Sequence, residues 1–371
     1  MKLTITTIKA DIGAVGGHTK PSEGVMLAVR QTVLEQAVKA KLIDYYIGHT
    51  GDDIHIIMTH THGSGDRAVH KLAFDALMAG TETAKAEGLY GAGQDLLKTA
   101  FSGNVKGMGP GVAELTFEER PNEAFLVFPA DKTEPGAFNL PLYYAFVEVS
   151  RSPGLMLSDD LREGVVFTIL DAEHTEADTT IDLATPEDYL KIATLLFNPH
   201  RFVVESIRSR KTGEPIVAAS TTRLHNIAGR YVGKDDPIML VRVQRPFAAT
   251  EEIGAMFATA HFVAGDTRGS HNLALMPVTL NSPASVYYCN PIVSGLYFSM
   301  HNGKLVGPGD AFADPVFEEV RRKAVWKSFA MRENGFVMPS MLPMEEIEYT
   351  AVSEQIATLE KKFTARTKVG R

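Results

Sequence analysis

The first residues, MKLTITTIKAD, alternate apolar and polar side chains, with Leu3 and Ile5 leading a run to Lys9. That period of two predicts a strand and not a leader peptide. The stretch ADIGAVGGHTKPS predicts a glycine-rich loop, after which Ser22 caps a helix over 22–41. Val25, Met26, Val29, Val33, Leu34 and Val38 form the apolar face of that helix. A second strand pair surrounds GHTGDD, with IHIIM as its exit, and a helix near 66–87 carries Val69, Leu72, Ala73, Leu77 and Met78 on one side. The run YGAGQDLLKTAFSGNVKGMGPG predicts a loop holding one short helix, and AFLVFPAD (124–131) a buried strand ending on Asp131. Further strands are expected at VVFTILDA, RFVVESIRS, PIVAAST and IMLVRVQ, and helices near 186–197, 249–262, 314–330 and 345–363. Helices and strands mixed without strict alternation predict the α/β class, in its mixed α+β form, with layered sheets flanked by helices. No repeat or linker divides the chain, so residues 1–371 are expected to form a single domain.

Composition narrows the function more than the fold. The 371 residues are 44% hydrophobic and 22% charged, an ordinary globular balance. A formal net charge of −8 argues against nucleic-acid and anionic-membrane partners, because neither polyanion is attracted to such a surface. A small anionic substrate fits if local cations or bound metals reverse the field in its pocket. The single cysteine, Cys289, rules out an intrachain disulfide and a cysteine zinc cage. No apolar run approaches the roughly 18 residues of a spanning helix, and the expectation is a cytoplasmic enzyme.

Acidic residues recur at predicted strand ends. Asp11, the Asp52–Asp53 pair and Asp131 each follow an apolar β run beside glycines, and Asp235–Asp236 precede IMLVRVQ in GRYVGKDDP. Side chains at strand ends meet at the rim of a sheet, and converging carboxylates call for a cation; all-oxygen ligands suit Mg²⁺ or Ca²⁺. Each aspartate alone is equally ordinary turn chemistry. The competing pattern is His60 and His62, which share a strand face and, with Asp66, resemble the start of a metallo-β-lactamase zinc motif. In HTHGSGD the aspartate is displaced and His70 does not restore the spacing, so polar packing is the expected role of these histidines.

Taken together, Asp11, His18, GDD at 51–53, YGAGQD at 90–95, FSGNVKGMGPG, PADK at 129–132 and GRYVGKDDP resemble the archaeal-type fructose-1,6-bisphosphate aldolase/phosphatase family. The resemblance runs from residue 3 to about residue 350. It implies a layered α-β-β-α sandwich, several Mg²⁺ ions per active site, phosphorylated sugar substrates and a homo-octamer. Its metal ligands fall on Asp11, His18, Asp52, Asp53, Gln94, Asp131, Asp235 and Asp236. Its substrate contacts fall on His18, Tyr90, Gly103, Asn104, Lys132, Gln244, Arg245, Arg268, Tyr349 and the position of Cys289. Lys234 matches a lysine that forms a Schiff base with dihydroxyacetone phosphate, and Tyr231 a tyrosine that moves protons.

Two stretches depart from the family pattern. RGSHNLALMP stands where the family reads RGSHNGPLMP, so Leu273–Ala274 replace glycine–proline. VYYCNPI places Cys289–Asn290 where the family has an aspartate and glycine, and that aspartate contacts the substrate sugar. A thiol with an ordinary pKa is not a charged acceptor at neutral pH. The expectation is retained phosphatase activity, with aldolase activity retained at altered affinity or weakened.

Overall fold

A computed structural model describes residues 1–97, 109–172, 179–220, 222–223, 235–264, 272–286, 290–333 and 351–364. The chain opens with β1 (Lys2–Asp11), α1 (Glu23–Ala37), β2 (Asp44–Thr50), β3 (Asp53–His60), α2 (Arg67–Ala86), β4 (Gly111–Glu118) and β5 (Glu123–Asp131). It continues through α3 (Asn139–Phe146), α4 (Gly154–Leu157), β6 (Val165–Asp171), β7 (Thr180–Ala184), α5 (Tyr189–Leu196), β8 (Phe202–Ser209), β9 (Pro215–Ala219), β10 (Thr222–Arg223) and β11 (Ile238–Val243). The last elements are α6 (Thr250–Ala255), β12 (Phe262–Ala264), β13 (Asn272–Ala274), β14 (Met276–Val278), β15 (Ile292–Ser294), β16 (Leu296–His301), β17 (Lys304–Asp310), α7 (Val316–Arg332) and α8 (Ala351–Glu360).

Two sheets lie at the centre. The smaller has the order β10-β4-β1-β3-β2, and the larger runs β14-β15-β5-β11-β9-β8-β6-β7, with β16 pairing both β5 and β17. The alternation in KLTITTIKAD explains how they stack. Leu3 and Ile5 pack with Ile57, Leu115 and Phe117 against Phe125, Val127 and Leu240 of the larger sheet. The opposite face of the small sheet, through Ile8, Ala10, Ile54 and Ile56, is covered by Val25 and Val29 of α1 and Leu72 and Leu77 of α2. The outer face of the large sheet, through Leu126, Phe128 and Val241, is covered by Phe146 of α3, Ile192 of α5, Ile253 of α6 and Phe317 of α7. The layers are therefore α-β-β-α, with the central strands of each sheet buried on both faces and β7 and β17 largely exposed.

The cap expected at Ser22 is present, and Asp66 caps the second helix as well. Ser22 Oγ accepts from Val25 N at 3.1 Å, and Asp66 Oδ1 accepts from Ala68 N and Val69 N, both at 3.0 Å. The helix expected over 249–262 is shorter. Thr250–Ala255 is α-helical, Met256–Ala258 tightens to a 3₁₀ turn, and Phe262–Ala264 becomes a strand paired with Asn272–Ala274. The apolar spacing continues through Ile253, Met256, Phe257 and Ala260, but pairing with β13 takes the backbone hydrogen bonds that a helix would have used. The short helix expected within 90–111 and the start of the one expected at 345 fall partly outside the described residues. Among the described residues, no helix is long and apolar enough to cross a membrane.

Candidate metal centre

The register of the small sheet brings the acidic strand ends together. Asp11 at the end of β1 lies opposite Asp53 at the start of β3, and the turn Gly51–Asp52 joins β2 to β3. Gly51 has φ +58°, and a Cβ there would fall on the Asp131 carboxylate, so the turn approaches the end of β5 only because glycine lacks one. From the larger sheet, β5 delivers Asp131, and Asp236 enters just ahead of β11. Thr133 N donates to Asp236 Oδ1 at 2.7 Å, and Asp236 N donates back to Thr133 O at 2.8 Å. Lys132 and Asp236 both have positive φ, 62° and 47°. Backbone held in this region by side chains other than glycine is strained, and such strain gathers at functional sites.

Two groups of donors result. Asp11, His18 and Asp52 form one, and Asp53, Asp131 and Asp236 the other, with the ligand atoms of each group within 4.8 Å of one another. Lys132 bridges them: its Nζ donates to Asp52 Oδ1 and, at 2.9 Å, to Asp131 Oδ1. His18 Nδ1 lies 3.2 Å from Asp52 Oδ2 and 3.9 Å from Asp11 Oδ2, and its ring meets Tyr90 edge-on at 5.0 Å. Gln94 sits beside Asp11, because Gly93 N and Asp95 N donate to Ile12 O and Asp11 O, each at 3.0 Å. Its Oε1 is buried without a hydrogen-bond partner. Asp235 lies close enough to raise the pKa of Asp236.

Charge is out of balance here. Burial pushes Asp11 up to about 6, with Asp52 adding to it. Burial and the Asp52 and Asp53 charges push Asp131 well above the carboxylate range, and burial with Asp53 and Asp235 does the same to Asp236. Burial would also raise Asp52, but Lys132 and His18 outweigh it and hold Asp52 well below its ordinary value. Burial alone would lower His18, yet hydrogen bonds to Asp11 and Asp52 take it to about 11. Burial opposes the Lys132 ammonium too, and Asp131, Asp52 and Asp236 hold it well above 10.5. Too many carboxylates share too little positive charge. Hard oxygen donors, one imidazole and an orphaned buried amide oxygen suit a small divalent cation.

The other expected residues divide. Gln244 and Arg245 do not join this cluster within the chain: they follow β11 at its far end, with about 17 Å of strand, at a strand's rise per residue, between them and the Asp236 end. There they border a cavity of ≈ 360 Å³ with Leu157, Ser158 and Phe247. Leu273 and Ala274, both 0% exposed, are core residues of β13. Asn290 is buried with its Oδ1 unpartnered, two residues before Ile292, which pairs with Asp131. Gly103, Asn104, Tyr231, Lys234, Arg268, Cys289 and Tyr349 lie outside the described residues.

The histidine motif is built differently. His60 Nδ1 accepts from His62 N at 3.2 Å, its Nε2 meets Thr6 Oγ1 at 2.8 Å, and Thr6 Oγ1 donates to Glu114 Oε1 at 2.6 Å. Both ring nitrogens are engaged, and Asp66 caps α2, so polar packing accounts for this motif. Sequence reading passed over Lys9, Arg242 and Glu123. The signal for Arg242 is a cation on the inward parity of a strand otherwise apolar on that side, whereas Lys9 shares its inward parity with Thr7 and Asp11 as well as Leu3 and Ile5.

A family model described as fructose-1,6-bisphosphatase matches residues 2–364. A protein of Thermus thermophilus named fructose-1,6-bisphosphate aldolase/phosphatase is 57% identical over 98% of this chain and 100% of its own. Proteins of the same name from Cenarchaeum symbiosum and Ignicoccus hospitalis are 57% and 44% identical, over 94% and 98% of this chain and 91% and 93% of theirs. A match along nearly the whole chain, at identities of this size, places it in the fructose-1,6-bisphosphate aldolase/phosphatase family.

Proposed function

We propose that the chain is a Mg²⁺-dependent bifunctional enzyme of gluconeogenesis. It condenses dihydroxyacetone phosphate with glyceraldehyde 3-phosphate to fructose 1,6-bisphosphate, then hydrolyses the 1-phosphate to release fructose 6-phosphate. The observation that carries this reading is the pair of buried acid groups assembled from the ends of two sheets. Family membership, and the name shared by the curated relatives, supply the substrate class. A cytoplasmic homo-octamer is part of the same proposal and rests on the resemblance.

In the first stage the free amine of Lys234 attacks the ketone carbon of dihydroxyacetone phosphate, and loss of water leaves an iminium. Tyr231 takes the proton from the neighbouring hydroxymethyl carbon, and the enamine carbon adds to the aldehyde, whose oxygen takes the proton back to become the new hydroxyl. Water then cleaves the iminium and returns the amine. Lys234 directly precedes Asp235 in the chain, so carbon–carbon chemistry and metal ligands share one segment.

The second stage uses the acid groups. Asp11, His18, Asp52, Gln94, Asp53, Asp131, Asp235 and Asp236 would hold Mg²⁺, which when bound offsets phosphate charge and promotes water as the nucleophile. Lys132 donates to two carboxylates here, and its proposed role is to turn toward a phosphate oxygen of the substrate. Tyr90, edge-on to His18, and the buried Asn290 amide are proposed to meet the sugar hydroxyls. Asn290 would then take over the contact for which Cys289 is unsuited. Arg268, the Gly103–Asn104 backbone and Tyr349 complete the set, while Gln244 and Arg245 would have to act at another copy's site.

The test is phosphate release from fructose 1,6-bisphosphate with and without Mg²⁺, beside borohydride trapping with dihydroxyacetone phosphate. A Mg²⁺-dependent release and an adduct mapped to Lys234 are expected. Release without any adduct supports the second reading, a sugar-bisphosphate phosphatase that has lost its aldolase half, which the Cys289 position favours.

A further inference from the structure

The inward side of β1 carries Leu3, Ile5, Thr7, Lys9 and Asp11 in succession. Lys9 does not belong in that company on hydrophobic grounds. Its side chain is 1% exposed, and its Nζ donates to Asp53 Oδ2, whose side chain is 2% exposed. That oxygen is the one acceptor for the ammonium among the described residues. His55, opposite Lys9 in the β1–β3 register, gives it nothing, because neither ring nitrogen has a hydrogen-bond partner. A buried ion pair so thinly supported is weak as a source of stability, since well-packed apolar residues often replace one at no loss. Its place beside a carboxylate of the second acid group is better explained by what that carboxylate does.

We propose that Lys9 is a positioning residue of the metal centre, a built-in cation that occupies Asp53 Oδ2 from the core side and leaves Oδ1 as the one oxygen Asp53 offers to a divalent ion. The proposal rests on the Mg²⁺ reading above. Lys9 differs in kind from Lys132. Lys132 stands just past the end of a strand and bridges two carboxylates, one from each acid group. Lys9 sits within the sheet, enclosed by both layers, and hydrogen-bonds Asp53 alone among the described residues, while its charge also reaches Asp236. It fixes the Asp53 rotamer, keeps that carboxylate from chelating with both oxygens, and subtracts one charge from the cluster before any ion arrives. Six carboxylates (Asp11, Asp52, Asp53, Asp131, Asp235 and Asp236) then face three cationic side chains, Lys9, Lys132 and His18. Without Lys9 the excess of negative charge grows by one. Ions should bind more tightly but in the wrong arrangement for turnover.

The experiment is a calorimetric Mg²⁺ titration of the full chain, stripped of metal, as wild type and as Lys9→Gln, with phosphate release measured at saturating Mg²⁺. Losing a fixed cation from a low-dielectric site is expected to tighten Mg²⁺ binding about tenfold. The kcat is expected to fall at least about tenfold, with KM for fructose 1,6-bisphosphate within about twofold, because an ion-positioning defect acts on the transition state. Lys9→Arg, which keeps the charge, should restore the wild-type Mg²⁺ affinity. Unchanged or weaker Mg²⁺ affinity in Lys9→Gln overturns the proposal, whereas absence of Mg²⁺ binding by wild type overturns the metal reading beneath it. A Lys9→Gln protein that folds only with Mg²⁺ supports the proposal. One that fails to fold in either condition, together with an unfolded Lys9→Met, makes Lys9 structural and overturns it.

Discussion

The space between the two sheets has a polar patch at each end, and the two patches follow opposite rules. At one end Asp11, Asp52, Asp53, Asp131 and Asp236 outnumber the cations among them, and burial forces several carboxylates toward their protonated forms. At the other, Arg242 donates to both oxygens of Glu123 at 3.2 and 2.9 Å and to Glu214 at 2.8 Å, and its guanidinium lies 4.2 Å from the Phe117 ring centroid. Arg120 shares Glu123 and reaches the carbonyls of Val243, Gln244 and Arg245. Two guanidinium groups meet two carboxylates, and burial, which would raise Glu123, is outweighed by Arg120 and Arg242, so it stays below its ordinary value. The arginine end is complete in itself and holds the strand terminus, including Gln244 at φ +66°. The acid end is incomplete without something positive. Burial of charge is not by itself a mark of function; an uncompensated excess is.

That contrast breaks most sharply at Asp131. Asp131→Asn is expected to lower Mg²⁺-dependent phosphate release by about a thousandfold or more, the scale of several kcal/mol in transition-state stabilisation. Retained turnover would detach the acid end from catalysis. Arg242→Met should do the reverse, destabilising the fold by about 3–5 kcal/mol as Glu123 and Glu214 lose a buried partner. Mg²⁺ affinity is expected to stay within about twofold of wild type, because nothing in that network reaches the acid end. Chemical denaturation and Mg²⁺ titration of the same sample separate the two effects.

A milder test uses the histidine network on the helix side of β3. Burial depresses His60 to about 4, so between pH 6.5 and 4 the unfolded chain binds a proton that the folded chain refuses. Stability from this group is present above pH 6.5 and lost as pH falls through that window. His60→Gln is expected to flatten the melting temperature profile across it, and an unchanged slope would remove His60 from the acid response. The smallest effect belongs to Arg245, whose side chain is 87% exposed and pairs with Asp159 at 2.9 Å. Arg245→Ala should change stability by less than about 1 kcal/mol. A raised KM for fructose 1,6-bisphosphate in the assembled protein, without a change in Mg²⁺ affinity, would show that the arginine end serves substrate in a neighbouring copy.

Much of this was legible in the residues. Alternation in β1, the apolar runs of β3, β5 and β11 and the cap at Ser22 are local signals that the fold leaves intact. The aspartates were legible as strand-end residues but not as two separate groups, because only pairing of β1 with β3 and β5 with β11 sets who meets whom. Short strands such as β12 to β15 were not legible, since three-residue pairings are chosen by neighbours and not by their own pattern. Lys9 and Arg242 were hidden for a related reason: a lone cation in an apolar run declares its partner only when another strand arrives beside it.

The Asp52–Asp53 step has one more consequence. Asp52 closes the turn and Asp53 opens β3, and this dipeptide sends one carboxylate to each acid group. Successive α-carbons are 3.8 Å apart across a trans peptide. On this side the separation between the two groups is thus a covalent ruler, indifferent to heat. The grip of each group, by contrast, depends on how closely Asp131 and Asp236 are carried up from the other layer. Warming that loosens the sandwich should therefore open the two grips while leaving their spacing intact.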